Sequence, residues 1–358
     1  MSKVEFHPLK IVQLRKLTTD CVEVTFQVPQ DKSDIFQYQA GQYLTLNTSI
    51  QGEEVRRSYS ICSAPHEDKL SVAVKQIPNG RFSTFANQVL KEGDVLDVLP
   101  PTGNFVLHPD VKNNYVFFAA GSGITPILSQ IKYLLANDKA NKILLIFGNK
   151  NFGSIIFRDE IENLKDKYLE KFSVHHVFSR EKIGTPLYFG RIDKEKCDQL
   201  LKVLTRIDQV DEYYICGPNE MIFNIKEVLE SQGVNSNKIK FELFNTDGLK
   251  KATPQKQTLD KMSDKSSDII IRMDGDLFEF SLDYSGQNLL DAAIENGADL
   301  PYSCRGGVCC TCKAKVIEGQ LEMDVNYALE PDEVAAGYVL LCQSHPRTDK
   351  VFVDFDQN

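Results

Sequence analysis

The sequence predicts a multidomain protein: an antiparallel β-barrel, then an α/β doubly wound domain, then a small α+β (β-grasp) module. Three observations predict it. Near residue 110 the hydrophobic pattern changes from short alternating strands to strands that alternate with helices. At 245–267 a polar, Lys-rich stretch without periodicity interrupts the chain. Beyond it lie five of the nine cysteines, four of them within nine positions. The expected boundaries are 1–110, 111–244, a linker at 245–267, and 268–358.

In the first part, CVEVTFQV, QYLTLNT, KLSVAVKQI and DVLDVLP alternate or run apolar between Gly and Pro turns. Such spacing suits a small antiparallel barrel. In the second, YVFFAA, KILLIF, SVHHVF, DEYYICG and KIKFELF read as buried strands. ITPILSQIKYLL, IFRDEIENLKDKY, DKEKCDQLLKVL and NEMIFNIKEVLESQG read as the helices between them. That alternation means a parallel sheet with crossover helices. In the third, DIIIRMDG and LFEFSL flank a hairpin signal at Asp274-Gly275-Asp276. The helix NLLDAAIENG follows, then a cysteine loop and the strands TCKAKVIEG and VFVDF.

Composition narrows the class. The chain has 358 residues, 42% hydrophobic and 25% charged, which is ordinary for globular domains. No apolar run is long enough to span a bilayer, and MSKVEFHPLK lacks the apolar core of a secretory leader, so the expectation is a cytoplasmic protein with no membrane partner. Formal net charge is −9, unevenly placed. Residues 268–358 hold 17 Asp and Glu against 6 Lys and Arg, a net of −11, which leaves the body at +2. An acidic module on a near-neutral body excludes nucleic acid as partner and favours docking on a basic protein surface. Solubility alone accounts for the same charge.

Four residues separate Cys304 from Cys309, two separate Cys309 from Cys312, and Cys342 follows after twenty-nine more. C-x4-C-x2-C…C is the plant-type [2Fe–2S] spacing. Gly306 and Gly307 let the backbone curl and aim N–H groups at sulfur. The alternatives are a structural zinc site or inert thiols, but zinc favours C-x2-C knuckles or histidines, and no His is near the triplet. Cys310 reads as a small filler.

AAGSGITPIL follows the strand YVFFA. Gly121 and Gly123 permit close backbone approach to a pyrophosphate at a helix N-terminus. Alone the turn is weak, because Pro126 stands where the last Gly of G-x-G-x-x-G belongs. Cys216-Gly217-Pro218, at the end of another strand, strengthens it, since ligands bind at the carboxyl edge of such sheets. Arg57-Ser58-Tyr59-Ser60 and Gly80-Arg81-Phe82-Ser83 complete the set. An Arg clamps a diphosphate and a Tyr packs on a flat ring, though an ordinary strand accounts for the same residues.

Together R-x-Y-S, G-x-x-S, G-x-G-x-x-P and C-G-P, in this order, resemble the ferredoxin–NADP reductase superfamily. With a plant-type ferredoxin at the C-terminus the chain resembles the oxygenase reductases, including those of the phenylacetyl-CoA epoxidases. RRSYSIC, VAVKQIPNGRFS, ADLPYSCRGGVCCTCKAKV and NYALEPDEVAAGYVLLCQ carry the likeness over essentially the whole chain. The resemblance implies FAD in the barrel, with Arg57 on its pyrophosphate, Tyr59 on the isoalloxazine and Ser60 near N5. Val74 and Lys75 would lie along the flavin and its tail. Arg81, Phe82 and Ser83 would offer N–H groups and one hydroxyl to the phosphates. Gly121, Gly123, Thr125, Cys216, Gly217 and Pro218 would line the nicotinamide site, and Phe244 would cover the other flavin face. Ser60, Cys216 and Phe244 would flank the chemistry. Ser179 and Arg180 resemble the pair that holds the 2′-phosphate of NADPH, and an Arg suits that dianion. No acid stands at Gly148-Asn149-Lys150 to favour NADH. An Arg180–Glu181 surface pair is the alternative reading.

The implied function is an NADPH-dependent reductase passing electrons through FAD and the cluster to a di-iron oxygenase. NADPH delivers electrons in pairs and the cluster takes one, so flavin must split them. A di-iron site in this chain would want Glu-x-x-His, and none of the six histidines has Glu or Asp three positions before it. The oxygenase is therefore another protein, with phenylacetyl-CoA as the implied substrate. Reduction of a different hydroxylase or desaturase, or a redox sensor without turnover, are the other readings. A sensor would need neither a flavin site nor a nicotinamide site.

Overall fold

The computed structural model describes residues 5–107, 113–244 and 265–357. They form two compact units, one holding the barrel and the parallel sheet, the other the C-terminal module.

The barrel comprises β1 (His7–Thr18), β2 (Cys21–Gln27), β3 (Tyr43–Ile50), β4 (Glu53–Ser60), β5 (Leu70–Lys75) and β6 (Val95–Val98), with α1 (Arg81–Gln88) after β5. The order is β4-β3-β6-β1-β2-β5, antiparallel throughout. An Ile61↔Val72 bridge and a Cys62 N–H bond to the Ser71 carbonyl (2.9 Å) join the two edges. That leaves few free strand edges. Leu9, Ile11, Val24, Leu44, Leu46, Val72, Val74 and Val98 are wholly buried inside it. Two elements depart from the sequence expectation. Strand β1 is absent from it, because little of the strand beyond Leu9 and Ile11 is buried and a register shift between Ile11 and Gln13 breaks its alternation. The Gly80-Arg81-Phe82-Ser83 motif, to which the sequence pattern assigned no element, opens α1.

The parallel sheet comprises β7 (Asn113–Ala120), β8 (Ala140–Asn149), β9 (Phe172–Phe178), β10 (Glu212–Cys216) and β11 (Ile239–Glu242), in the order β11-β10-β7-β8-β9. Helices α2 (Ile124–Ala136), α3 (Arg158–Lys167), α4 (Lys194–Leu204) and α5 (Asn219–Ser231) make the crossovers. The strand order reverses between β7 and β10, so their carboxyl ends open a crevice at the topological switch point. Phe117 stacks on Tyr214 at 5.4 Å beneath that edge.

In the C-terminal unit, β12 (Ser266–Met273) and β13 (Asp276–Asp283) form the predicted hairpin, with Asp274 and Gly275 at positive φ. Helix α6 (Leu289–Glu295) crosses a mixed sheet completed by β14 (Lys313–Glu318), β16 (Tyr338–Leu340) and β18 (Lys350–Asp354), ordered β13-β12-β18-β14-β16. β15 (Leu321–Met323), α7 (Pro331–Ala335) and β17 (Ser344–Pro346) fill the connections. Strand β12 starts two residues inside the stretch read as linker, and Ser267 is buried in it, which corrects that boundary. The rest of the linker, 245–264, and the 110/111 boundary lie outside the described residues. Among the described residues no helix is long and apolar enough to cross a membrane.

Candidate functional site

The two adjacent arginines at the barrel rim have opposite fates. Arg56 is buried, pairs with Glu54 at 3.0 Å and lies 5.0 Å over the Phe6 ring. Arg57 is exposed and, among the described residues, donates only to the neighbouring Arg56 carbonyl, leaving its guanidinium open to an anion. Two residues on, Tyr59 shares that face of β4, its ring 5.4 Å from Phe82. Ser60 ends the strand, nine-tenths buried.

Gly80 is the N-cap of α1 and supplies no side-chain cap, so the first N–H groups of the helix face outward unpartnered by a side chain. A phosphate suits that cradle. Phe82 belongs to the barrel core. The Ser83 hydroxyl, expected on a phosphate, instead donates to the Gly80 carbonyl (3.3 Å) and accepts from the Ile77 N–H (3.2 Å). It shapes the turn, and the helix N–H groups are what remain for an anion. Arg81 reaches Glu53 (2.5 Å) and the Ile50 carbonyl (2.9 Å). Val74 is buried in β5. Lys75, expected along the flavin, extends across the barrel edge, where a Cβ added at Gly121 would sit 3.9 Å from its Nζ.

At the crevice, Gly121 has φ +55° and α2 begins without a side-chain cap. Gly123 is required by packing, since a Cβ there would lie 2.2 Å from the Cys216 carbonyl oxygen. The Thr125 hydroxyl donates to the Ser122 carbonyl (3.0 Å) and holds this turn. Cys216 pairs with Ala119 on one side and Glu242 on the other. Gly217 and Pro218 carry the chain into α5, with Pro218 as N-cap. Phe244, 39% exposed, follows two residues after Glu242.

Glu242 is the functional residue that sequence reasoning passed over. Its Oε2 accepts from the Ser60 hydroxyl at 2.9 Å, across 182 positions. Burial pushes its pKa up to about 8, with the Ser60 bond opposing, so the carboxyl holds a proton near neutrality. Burial, then Glu242, raises the Cys216 thiol well above its ordinary value. The available signal was a carboxylate at the carboxyl end of the short strand Ile239–Glu242, at the edge of the sheet where ligands bind. Ser60, Cys216 and Glu242 thus meet where barrel and parallel sheet join.

Ser179 and Arg180 follow β9. Their N–H groups bond the Asn149 and Lys150 carbonyls, both at 2.9 Å, which ties the two loop ends together. Glu181 accepts from the Phe152 N–H (2.7 Å) rather than from Arg180, so the surface ion pair does not form. Arg180 is exposed, with no carboxylate partner among the described residues.

In the C-terminal unit Cys304, Cys309, Cys312 and Cys342 come together. Cys309 and Cys304 sulfurs are 3.1 Å apart, and the Gly306 N–H points at Cys304 Sγ (3.4 Å). Thiol donation from Cys309 and Cys342, with the Gly306 and Val308 N–H groups helping against burial, pushes the Cys304 pKa down from its ordinary value. Thiolate is the form that binds metal. Among the described residues no three His, Cys, Asp or Glu surround one point as a single ion needs. Two irons ask for two pairs of ligands instead, and four sulfurs with inward N–H groups fit that group. Arg305 takes φ +51° in the loop and lies 4.3 Å over Tyr302. Cys310 turns away to the Ala328 carbonyl (3.3 Å).

Comparison with known proteins agrees with this layout. Models of an oxidoreductase FAD-binding domain, an oxidoreductase NAD-binding domain and a 2Fe-2S iron-sulfur cluster binding domain match residues 8–107, 117–227 and 271–347. The chain is 42% identical to one subunit of the 1,2-phenylacetyl-CoA epoxidase of Escherichia coli (strain K12), with 98% of each covered. It is 31% identical to the 3-ketosteroid-9-alpha-monooxygenase ferredoxin reductase component of Rhodococcus rhodochrous, over 94% of this chain and 93% of that one. Phthalate dioxygenase reductase shares the fold, with TM-score 0.59 at 22% identity over 98% of both chains. The chain belongs to the family of NAD(P)H-dependent flavin and [2Fe–2S] reductase components of oxygenases.

Proposed function

We propose that this reductase draws on NADPH and serves a di-iron oxygenase of the phenylacetyl-CoA epoxidase type in the cytoplasm. The observation that carries the reading is the meeting of Ser60, Cys216 and Glu242 at the switch-point crevice, flanked by two uncapped helix N-termini. Identity of 42% over nearly the whole length to a subunit of such an epoxidase supports the choice of partner. Five cysteines outside the cluster set, none in a disulfide, fit a reducing compartment.

Each residue has work to do at this site. Arg57 and the N–H groups of Arg81, Phe82 and Ser83 bind the FAD phosphates, and Tyr59 orients the ring. Gly121, Gly123 and Thr125 form the turn that receives the nicotinamide dinucleotide, with Gly217 and Pro218 opposite. Lys75 places its charge between the two. Bound there, FAD would supply the conversion of the nicotinamide's electron pair into single electrons. Glu242 keeps a proton beside Ser60 Oγ, so no buried negative charge stands where negative charge must arrive. Phe244 excludes water from that face. Ser179 and Arg180 bind the 2′-phosphate, which makes NADPH the donor. Cys304, Cys309, Cys312 and Cys342 hold the cluster, and the acid around it steers this module to a basic face of the oxygenase.

The test is steady-state reduction of cytochrome c with each nicotinamide, followed by product formation with purified epoxidase subunits. NADPH preference and stimulated phenylacetyl-CoA turnover are expected. Preference for NADH would sink the donor assignment. Failure to support the epoxidase would sink the partner.

A further inference from the structure

A second set of charges joins the barrel to the parallel sheet, away from the crevice. Lys132 lies in α2, 5% exposed, and its three ammonium protons find three acceptors. These are the Cys62 carbonyl (3.2 Å), Glu67 Oε2 (3.0 Å) and Glu160 Oε1 (2.5 Å). Glu160, in α3, also reaches Arg15 of β1 (3.4 Å). Arg15 and Lys69 both pair with the buried Glu23 of β2, at 2.7 and 3.0 Å. About one turn earlier on the same face of α2, Ser129 Oγ donates to the Ser63 carbonyl (2.6 Å), while Gln130, round the helix, donates its Nε2 to the Phe105 carbonyl (2.6 Å). One face of α2 therefore grips residues 62–67, the segment that leaves β4 directly after Ser60.

The two ends of this grip lead to the two halves of the site. Eight residues before Lys132, α2 begins at the Gly121–Gly123 turn, about 12 Å away along a rigid helix. Two residues before Cys62 stands Ser60. We infer that Lys132 is a positioning residue for electron transfer between nicotinamide and flavin: by clamping residues 62–67 to α2 it sets the separation of the dinucleotide turn from the flavin strand. The inference rests on the reading of these two surfaces as nicotinamide and flavin sites. Lys132 touches neither ligand and acts through Ser60 at one end and Gly123 at the other. Its network is electrically balanced, with Lys132, Arg15 and Lys69 against Glu23, Glu67 and Glu160, so loss of the Lys132 charge strips part-buried Glu67 of its ion-pair partner among the described residues, leaves Glu160 with Arg15 alone, and loosens the clamp.

The experiment uses the full-length, FAD-loaded chain with Lys132→Met, Lys132→Arg and Glu160→Gln. Two readouts are taken: hydrogen–deuterium exchange, and anaerobic flavin reduction by NADPH together with the nicotinamide–flavin charge-transfer absorbance. In Lys132→Met, faster exchange is expected at residues 57–67 and 121–125. Flavin reduction should slow by about tenfold or more, as expected for reactants displaced from contact geometry. Charge-transfer absorbance should weaken, while the Kd for NADPH stays within about twofold. Lys132→Arg should restore most of the rate. Glu160→Gln, which keeps the Glu67 and Cys62 contacts, should slow reduction by about threefold, and it stands in if Lys132→Met fails to fold. Unchanged reduction and absorbance in a folded variant would overturn the inference while leaving the functional reading intact. A wild-type chain that neither NADPH nor NADH reduces would overturn both.

Discussion

The cluster loop and the nicotinamide–flavin crevice are built in opposite ways. Three of the four sulfurs come from nine consecutive positions, and the backbone that carries them also supplies the N–H groups around them. The proposed crevice would draw on residues 57–60, 74–75, 80–83, 121–125, 216–218 and 242, and the Ser60–Glu242 bond at its centre joins positions 182 apart. A local site is specified by spacing. A dispersed site is specified by topology, here the reversal of strand order between β7 and β10 and the closure of the barrel at Ile61↔Val72.

That contrast can be broken most forcefully at the cluster. Cys309→Ser should lower NADPH-dependent cytochrome c reduction by more than about 100-fold, with loss of the iron–sulfur absorption, while ferricyanide reduction by the flavin half continues. Equal loss of both activities would show that the two sites are not separable. Next in size is Arg180→Ala. Removing a charge-assisted contact to the 2′-phosphate should raise KM for NADPH by about 10- to 50-fold and leave NADH unaffected. Parallel changes for both cofactors would place Arg180 outside the phosphate site.

Glu242→Gln sharpens the dispersed side. The wild-type carboxyl carries its proton below about pH 8, so flavin reduction should fall as pH rises through that value, and the Gln variant should lose the break. Stability has the matching sign. A carboxyl whose folded pKa lies above its ordinary 4.5 binds more protons folded than unfolded, so its burial destabilises the fold progressively from about pH 4.5 to about pH 8. Tm of Glu242→Gln should exceed wild type at pH 8, with the gap closing toward pH 4.5; a constant gap would contradict burial as the cause. The smallest effect concerns the acidic module. Electron delivery to the oxygenase should slow by a few fold between about 50 and 300 mM salt, because screening removes steering but leaves contact geometry. A rate indifferent to salt would mean that the charge serves solubility.

Sequence legibility followed the same division. The spacing of Cys304, Cys309, Cys312 and Cys342 was enough to expect four sulfurs at one site, and the Asp274-Gly275 hairpin and the helices of the parallel sheet followed from local periodicity and turn chemistry. Strand β1 escaped because most of its side chains are solvated. Helix α1 escaped because its first turn reads equally well as a loop. Glu242 escaped because nothing local marks a carboxylate whose partner is Ser60 and whose pKa is set by burial that only the assembled sheet creates. The opposite fates of Arg56 and Arg57 follow from β4, since adjacent residues of a strand face opposite sides. The Lys132 clamp had no sequence signature at all: a lysine in an apolar helix usually reads as a solvated residue, and its three acceptors come from two domains.

The central claim is the direction of electron flow, from nicotinamide to flavin to cluster. Rapid mixing of the anaerobic full-length chain with a single equivalent of NADPH, following flavin absorbance and the cluster's paramagnetic resonance signal together, tests it most directly. Flavin reduction is expected first, then a cluster signal that rises as flavin absorbance partly returns. A cluster signal that precedes flavin reduction, or reduced flavin with a cluster that never takes an electron, would contradict that direction.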